Sequence, residues 1–353
     1  MKYSSITYKK RGRIVRLKIF ALLTAFVVTL NLGLSTMQTY ADRESLPSNE
    51  LGQIMILEYH LIGYPEAQWR RTPENFRKDL EMLYENDYYP IPLQDLVNGN
   101  IKTPAGKTPF VITFDDSSTG QFRYHQKEGH LEIDPKSGVG IMEQFKKEHP
   151  DFPLTATFYV LPGTGRNSRL FGQEEYIQEK LNFLVNNGYE IGNHSYGHEN
   201  LGKVDDLAAQ KQLALAVKEI QSYIPGYQAR SFALPYGIHP KNRILARQGE
   251  YQGVKYNHNA VMLVGSGPVP SPYSTEFNAY RMERIQAGDT PWGPKSLVEK
   301  YRKNPSLRFV SDGDLIKITI PKKLEGKLSL NLSRKFRLQM LEDVAPSLPG
   351  RKL

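Results

Sequence analysis

Between residues 54 and 285, short apolar runs take turns with amphipathic helical segments, and this alternation constrains the fold more than any other feature of the chain. Candidate strands are Ile54–Tyr59, Phe110–Phe114, Thr155–Val160, Tyr189–Gly192, Ser231–Leu234, Ala260–Val264 and Tyr280–Ile285. Between the first two, Thr72 as N-cap and Pro73 at the first helical position open a helix with Phe76, Leu80, Leu83 and Tyr84 on one face. Leu213, Val217, Ile220 and Ile224 form a similar stripe, and Ile177, Leu181, Leu184 and Val185 lead into Gly188, a natural helix end. Strand and helix in alternation call for a parallel α/β sheet, closed or partly closed as a barrel.

The flanks read differently. Seven basic residues and no acid precede residue 19; without them the net charge of +9 falls to +2, so the basic balance belongs to the leader and not to a nucleic-acid-binding face. An apolar run from Ile19 to Leu30, extending with interruptions to Leu34, follows the basic start, and Thr39-Tyr40-Ala41 suits signal peptidase. Residues 1–41 are therefore expected to be a signal peptide or an uncleaved N-terminal membrane anchor; either exports the rest, as a secreted protein or one held on the outer face of the cytoplasmic membrane. Residues 42–53 are expected to form a linker, 54–285 the main domain with an insertion at 117–153, and 286–353 a small antiparallel β extension and tail. The last rests on the alternation of Ile316, Ile318 and Ile320, then Leu328, Leu330 and Leu332, then Phe336, Leu338 and Met340, with Ser311-Asp312-Gly313-Asp314 as a turn. The chain has no cysteine, so any metal site must use His and carboxylate.

In parallel α/β barrels the strand ends carry the chemistry. Here they collect Glu58-Tyr59-His60, Asp115-Asp116, Asn193 to His198, and Ala233 to Gly237. His194 and His198 are four apart; on a helical turn both imidazoles would face one divalent metal. Each pair has an ordinary reading, surface histidines for one and a helix cap for the other. Together they offer two nitrogen ligands, an oxygen ligand and a second carboxylate free to act as base.

These residues resemble the motifs of the polysaccharide deacetylase family, also called the NodB-homology domain or carbohydrate esterase family 4. Thr113-Phe114-Asp115-Asp116 resembles its first motif, Glu190 to His198 with Asn200-Leu201 its second, and Phe232-Ala233-Leu234-Pro235-Tyr236-Gly237 its third. The resemblance implies a distorted (β/α)7 barrel. It also implies Asp115 as catalytic base, Asp116, His194 and His198 as ligands of one divalent metal, with zinc the expected ion, and the Tyr236 amide as an oxyanion donor. The implied partner is an acetylated polysaccharide, with no nucleic acid and with membrane contact only through the N-terminal segment.

The chain departs from the family pattern in three places. Ala233 stands where many members have an Arg that braces the base, no Leu-x-His occurs near Tyr280 to Gln286, and Ser117 replaces the usual Gly after the Asp pair. Ala233 and the Tyr59-His60 start resemble the branch that includes poly-N-acetylglucosamine deacetylases. His60 is the favoured general acid over His125 or His130, with a structural role as its alternative; Arg284 is the candidate brace for Asp115, with a surface salt bridge as its alternative. Trp69, Tyr196 and Tyr236 could stack on sugar or pack in the core. A carbohydrate-binding protein with impaired chemistry, or an O-acetyl esterase, are the competing readings.

Overall fold

The computed structural model describes residues 46–165, 169–265, 267–329 and 335–342. The proposed leader lies outside them, and among the described residues no helix is long and apolar enough to cross a membrane.

The main sheet contains β1 (Met55–Tyr59), β2 (Tyr88–Pro90), β3 (Thr108–Phe114), β4 (Thr157–Val160), β5 (Glu190–Asn193), β6 (Ser231–Ala233), β7 (Ala260–Met262) and β8 (Ile285–Gln286). Its order is β7-β6-β5-β4-β3-β1-β8, with β2 also beside β3, and every pairing is parallel. The sheet curls into a distorted barrel. Residues 279–286 join its two edges: the Met282 amide donates to Val261 beside β7, while Ile285 pairs with Leu57 of β1. Of the expected strand Tyr280–Ile285, only Ile285 is in a strand, because one segment must leave one edge and reach the other within a few residues. The short β2 was not expected.

All five residues of β1 and all seven of β3 are buried, as in sheets covered on both faces. The two-residue period sorts them. Met55, Leu57, Phe110, Ile112, Phe114 and Phe158 face the helices; Ile54, Ile56, Val111, Tyr159, Ala233 and Met282 fill the barrel interior. Among the covering helices, Pro73–Glu85 begins where expected: the Thr72 hydroxyl accepts the Asn75 amide, and Phe76, Leu80 and Leu83 are buried. The 117–153 segment holds an antiparallel hairpin, Tyr124–Lys127 with His130–Ile133, and then helix Gly138–Glu148 on the way to β4.

The C-terminal extension corrects one expectation. Lys317–Pro321 and Arg337–Leu341 pair in parallel, not antiparallel. Alternation reports only that a strand has two unlike faces and says nothing of its partner's direction, which the 3-10 turn at Lys322–Lys327 helps to set. Leu330 and Leu332 lie outside the described residues. Ile318, Ile320, Leu328 and Phe309 join the interior cluster, and Phe309 accepts the Thr108 hydroxyl at the start of β3, so the extension packs under the barrel end opposite the strand tips.

His258 lies buried between the rings of Phe232 and Tyr256. It pairs through Nδ1 with the Ala246 carbonyl at 2.9 Å and through Nε2 with the Asn193 amide at 3.3 Å. That arrangement suits a neutral ring, and burial pushes its pKa down to about 4. The unfolded chain therefore binds the extra proton first. Stability from this group is present above the unfolded value of about 6.5 and declines as pH falls toward about 4. Urea unfolding of the wild type and His258→Gln across this window should show a shallower pH slope in the variant.

Candidate active site

Asp115 leaves β3 still in register, its amide donating to Tyr59 at 2.9 Å. The next two residues turn sharply: Asp116 has φ 71° and Ser117 φ 43°. The adjacent carboxylates consequently diverge. The Ser117 position explains why glycine is the usual occupant, since left-handed backbone costs other residues about 1 kcal/mol or more. Here Ser117 is buried and its hydroxyl accepts the Leu161 amide at 3.0 Å.

His194 and His198 follow β5, but not on a helical turn, which corrects the geometry expected from their spacing. Ser195 and His198 have φ 68° and 59°. Asn193 Oδ1 accepts the Ser195 amide, Ser195 Oγ accepts the His198 amide, and Gln212 accepts from Gly197. This hydrogen-bonded loop brings both imidazoles to one side. His194 Nδ1 pairs with the Ala233 carbonyl at 2.8 Å, leaving Nε2 3.3 Å from Asp116 Oδ1; His198 Nε2 lies 3.6 Å from the same oxygen. His194 is buried, which by itself lowers its pKa, yet Asp115 and Asp116 outweigh burial and raise it; burial and His194 lower that of His198.

Arg284 is fully buried and is no surface salt bridge. Its two terminal nitrogens meet the two Asp115 oxygens at 2.7 Å each, and Nη2 also meets Glu58 Oε1 at 2.8 Å; Nε donates to the Leu263 carbonyl. Burial alone would push the Asp115 carboxyl up. The guanidinium, and after it His194, hold it well below the usual carboxylate range. Glu58 stays raised by burial despite Arg284. Glu58 was named only as part of a strand end, although a lone carboxylate within the apolar run Met55–Tyr59 signals a buried partner.

A cavity of about 600 Å³ opens over these groups. Asp115, Asp116, His194 and His198 line it together with His60, Trp69 and Tyr236. His60 packs on Trp69, ring centroids 4.7 Å apart. Tyr236 has φ 60° and its ring lies 4.6 Å from that of His198. His125 and His130 belong to the hairpin, and neither lines this cavity; nor does Tyr196, whose ring lies against Gly163.

Residues 102–254 match the polysaccharide deacetylase family. That segment is similar to a polysaccharide deacetylase domain. It is 25% identical over 172 residues to a peptidoglycan-N-acetylglucosamine deacetylase of Bacillus cereus, covering 49% of this chain and 52% of that protein. It is 26% identical over 202 residues to the peptidoglycan-N-acetylmuramic acid deacetylase PdaC of Bacillus subtilis, covering 57% and 36%. The chain thus spans about half the length, or less, of these curated relatives. The solved structure of the Streptococcus pyogenes deacetylase PplD in complex with acetate has the same fold, with TM-score 0.52 and 16% identity over 70% of this chain and 98% of that one.

The donor set fits a divalent metal. Ligands about 2.1 Å from a tetrahedral ion lie roughly 3.4 Å apart; the separations from Asp116 to the two histidines are 3.3 and 3.6 Å. Glu58 and Asp115 share the single guanidinium of Arg284 while Asp116 faces the two histidines, so the three carboxylates carry a surplus of negative charge that a divalent cation offsets. Replacing Arg284 by Met should leave two buried carboxylates unpaired and cost about 3–5 kcal/mol in urea unfolding. Arg284→Met combined with Glu58→Gln should recover part of that loss.

Proposed function

We propose that the domain, residues 54–285, hydrolyses acetamido groups of an exported cell-envelope glycan, with Asp115 as general base and Asp116, His194 and His198 as ligands of one zinc ion. The observation that carries this reading is the division of labour between the adjacent carboxylates. Arg284 engages both oxygens of Asp115, whereas Asp116 turns toward the two histidines. The relatives named as peptidoglycan deacetylases support the substrate class and an extracellular site of action.

A zinc ion on those three ligands would polarise the acetyl carbonyl and make water more acidic. Asp115 takes a proton from the attacking water as its oxygen bonds to the carbonyl carbon. Arg284 keeps this carboxylate ionised and fixed in direction; Glu58 shares the guanidinium and so tempers its pull on Asp115. The Tyr236 amide donates to the oxyanion, a role supported by the residue's left-handed backbone and its presence in the cavity lining. His60, on the same wall against Trp69, gives a proton to the sugar nitrogen as the carbon–nitrogen bond breaks, releasing acetate and the free amine.

The test is acetate release from N-acetylglucosamine oligomers and peptidoglycan, with metal content measured beside turnover. Asp115→Asn should keep its metal and lose at least about 10²-fold in turnover. Asp116→Asn should lose metal, with activity partly recovered at high zinc. His60→Gln should keep metal and lower kcat by about 10²-fold or more. Loss of metal from the Asp115 variant with full occupancy in the Asp116 variant would reverse the assignments, and no acetate from any glycan would end the reading.

A further inference from the structure

Trp292 is the most exposed large apolar side chain among the described residues, at 81%. An indole so placed gains nothing from burial in the fold, yet its loop is built firmly. Gln286, at the tip of β8, pairs with Glu58, and the Ala287 amide still donates to the Glu58 carbonyl, so the chain leaves on the rim that holds the active site. A tight turn follows. The Gly293 amide donates to Thr290, the Ser296 hydroxyl caps the same carbonyl, and a Cβ on Gly293 would lie 2.0 Å from the Gly288 oxygen. Helix Pro294–Lys303 then begins directly after the turn.

This turn is tied to the segment that walls the cavity. Asp289 accepts from both terminal nitrogens of Arg71, at 3.1 and 3.2 Å, and Gln286 Nε2 donates to the Gln68 carbonyl. Arg71 is itself buried, locked to Asp79 and Glu66. Trp69 lies between Gln68 and Arg71, lines the cavity and is 40% exposed. Two aromatic side chains are therefore carried on two loops clamped together at one rim, one inside the cavity and one outside it.

We propose that Trp292 is an outer saccharide subsite, stacking on a ring of the glycan several units away from the acetamido group being cleaved. This rests on the deacetylase reading above and adds the requirement for a polymer. Trp292 sits between Pro291 and Gly293, and the exposed polar residues Asp289, Thr290 and Lys295 lie two or three positions away along the loop. A flat ring edged by hydrogen-bonding groups matches a sugar, which offers an apolar C–H face and polar rim. Holding that ring on a preformed loop removes the entropy that a flexible platform would lose on binding.

The experiment is a binding titration of dimers and hexamers of N-acetylglucosamine to the full-length protein, with and without zinc, by calorimetry, beside kcat and KM for both lengths. Trp292→Ala should weaken hexamer binding and raise its KM by about 3- to 10-fold, the range of an aromatic stacking contact, and leave the dimer and kcat unchanged. Trp292→Phe should restore hexamer binding to within about 2-fold. Equal losses for dimer and hexamer, or no loss for the hexamer, would overturn the subsite while the deacetylase reading stands. Absence of glycan binding and of acetate release in the wild type would overturn both.

Discussion

Arg284 is a charge with no access to solvent, and its two carboxylate partners come from different strands: Asp115 from the end of β3 and Glu58 from β1. Arg284 itself belongs to the irregular stretch that joins the barrel edges, where ladder hydrogen bonds are few. Removing three charges from water costs several kcal/mol per ion, and only close, bidentate geometry offsets it. Barrel closure and the orientation of Asp115 are thereby one problem with one solution. The small Ala233 side chain belongs to the same interior cluster as Tyr159, whose ring lies 5.7 Å from the guanidinium.

Above that cluster the site is assembled from strained backbone. Asp116, Ser117, Ser195, His198 and Tyr236 all have left-handed φ, each an expense of about 1–3 kcal/mol tolerated only where the surroundings dictate it. They do so here through hydrogen bonds. Ser117 is held by Leu161 and Phe171, and Ser195 by Asn193, which in turn is anchored by Leu213 and His258. Side chains fixed this way need little rearrangement to meet an ion or a water. Asn193 and then Ser195 link His258 to the backbone of His198, so the buried histidine of the core and the rim loop are parts of one network.

How much of this was legible beforehand depended on whether a signal was local. The alternation of apolar runs and helical stripes marked most of the barrel strands and the helix opened by Thr72 and Pro73, because burial on both faces and N-capping leave direct traces in residue order. The Asp pair and the His pair could be assembled into one candidate site by residue type and strand-end position. The spacing of His194 and His198 led to a sound pairing through the wrong geometry: four residues span a helical turn, but a serine and an asparagine folding back on the chain bring them together as well.

Other features depended on contacts between residues far apart in the chain. Glu58 and Arg284 are separated by 226 positions, and nothing in either neighbourhood states that they share a buried charge; only the inward face of β1 meeting the segment that closes the barrel creates the pair. The direction of the C-terminal strands and the clamp between Arg71 and Asp289 have the same character. What the sequence by itself determined was the succession of elements and the chemical types at the strand ends, since hydrophobic periodicity and side-chain chemistry are properties of short stretches. Which carboxylate faces the two histidines and which faces the arginine was decided only by tertiary structure, because curling the sheet brings β1, β3 and the 279–286 segment together, and a buried guanidinium must draw its partners from whatever that closure places within reach.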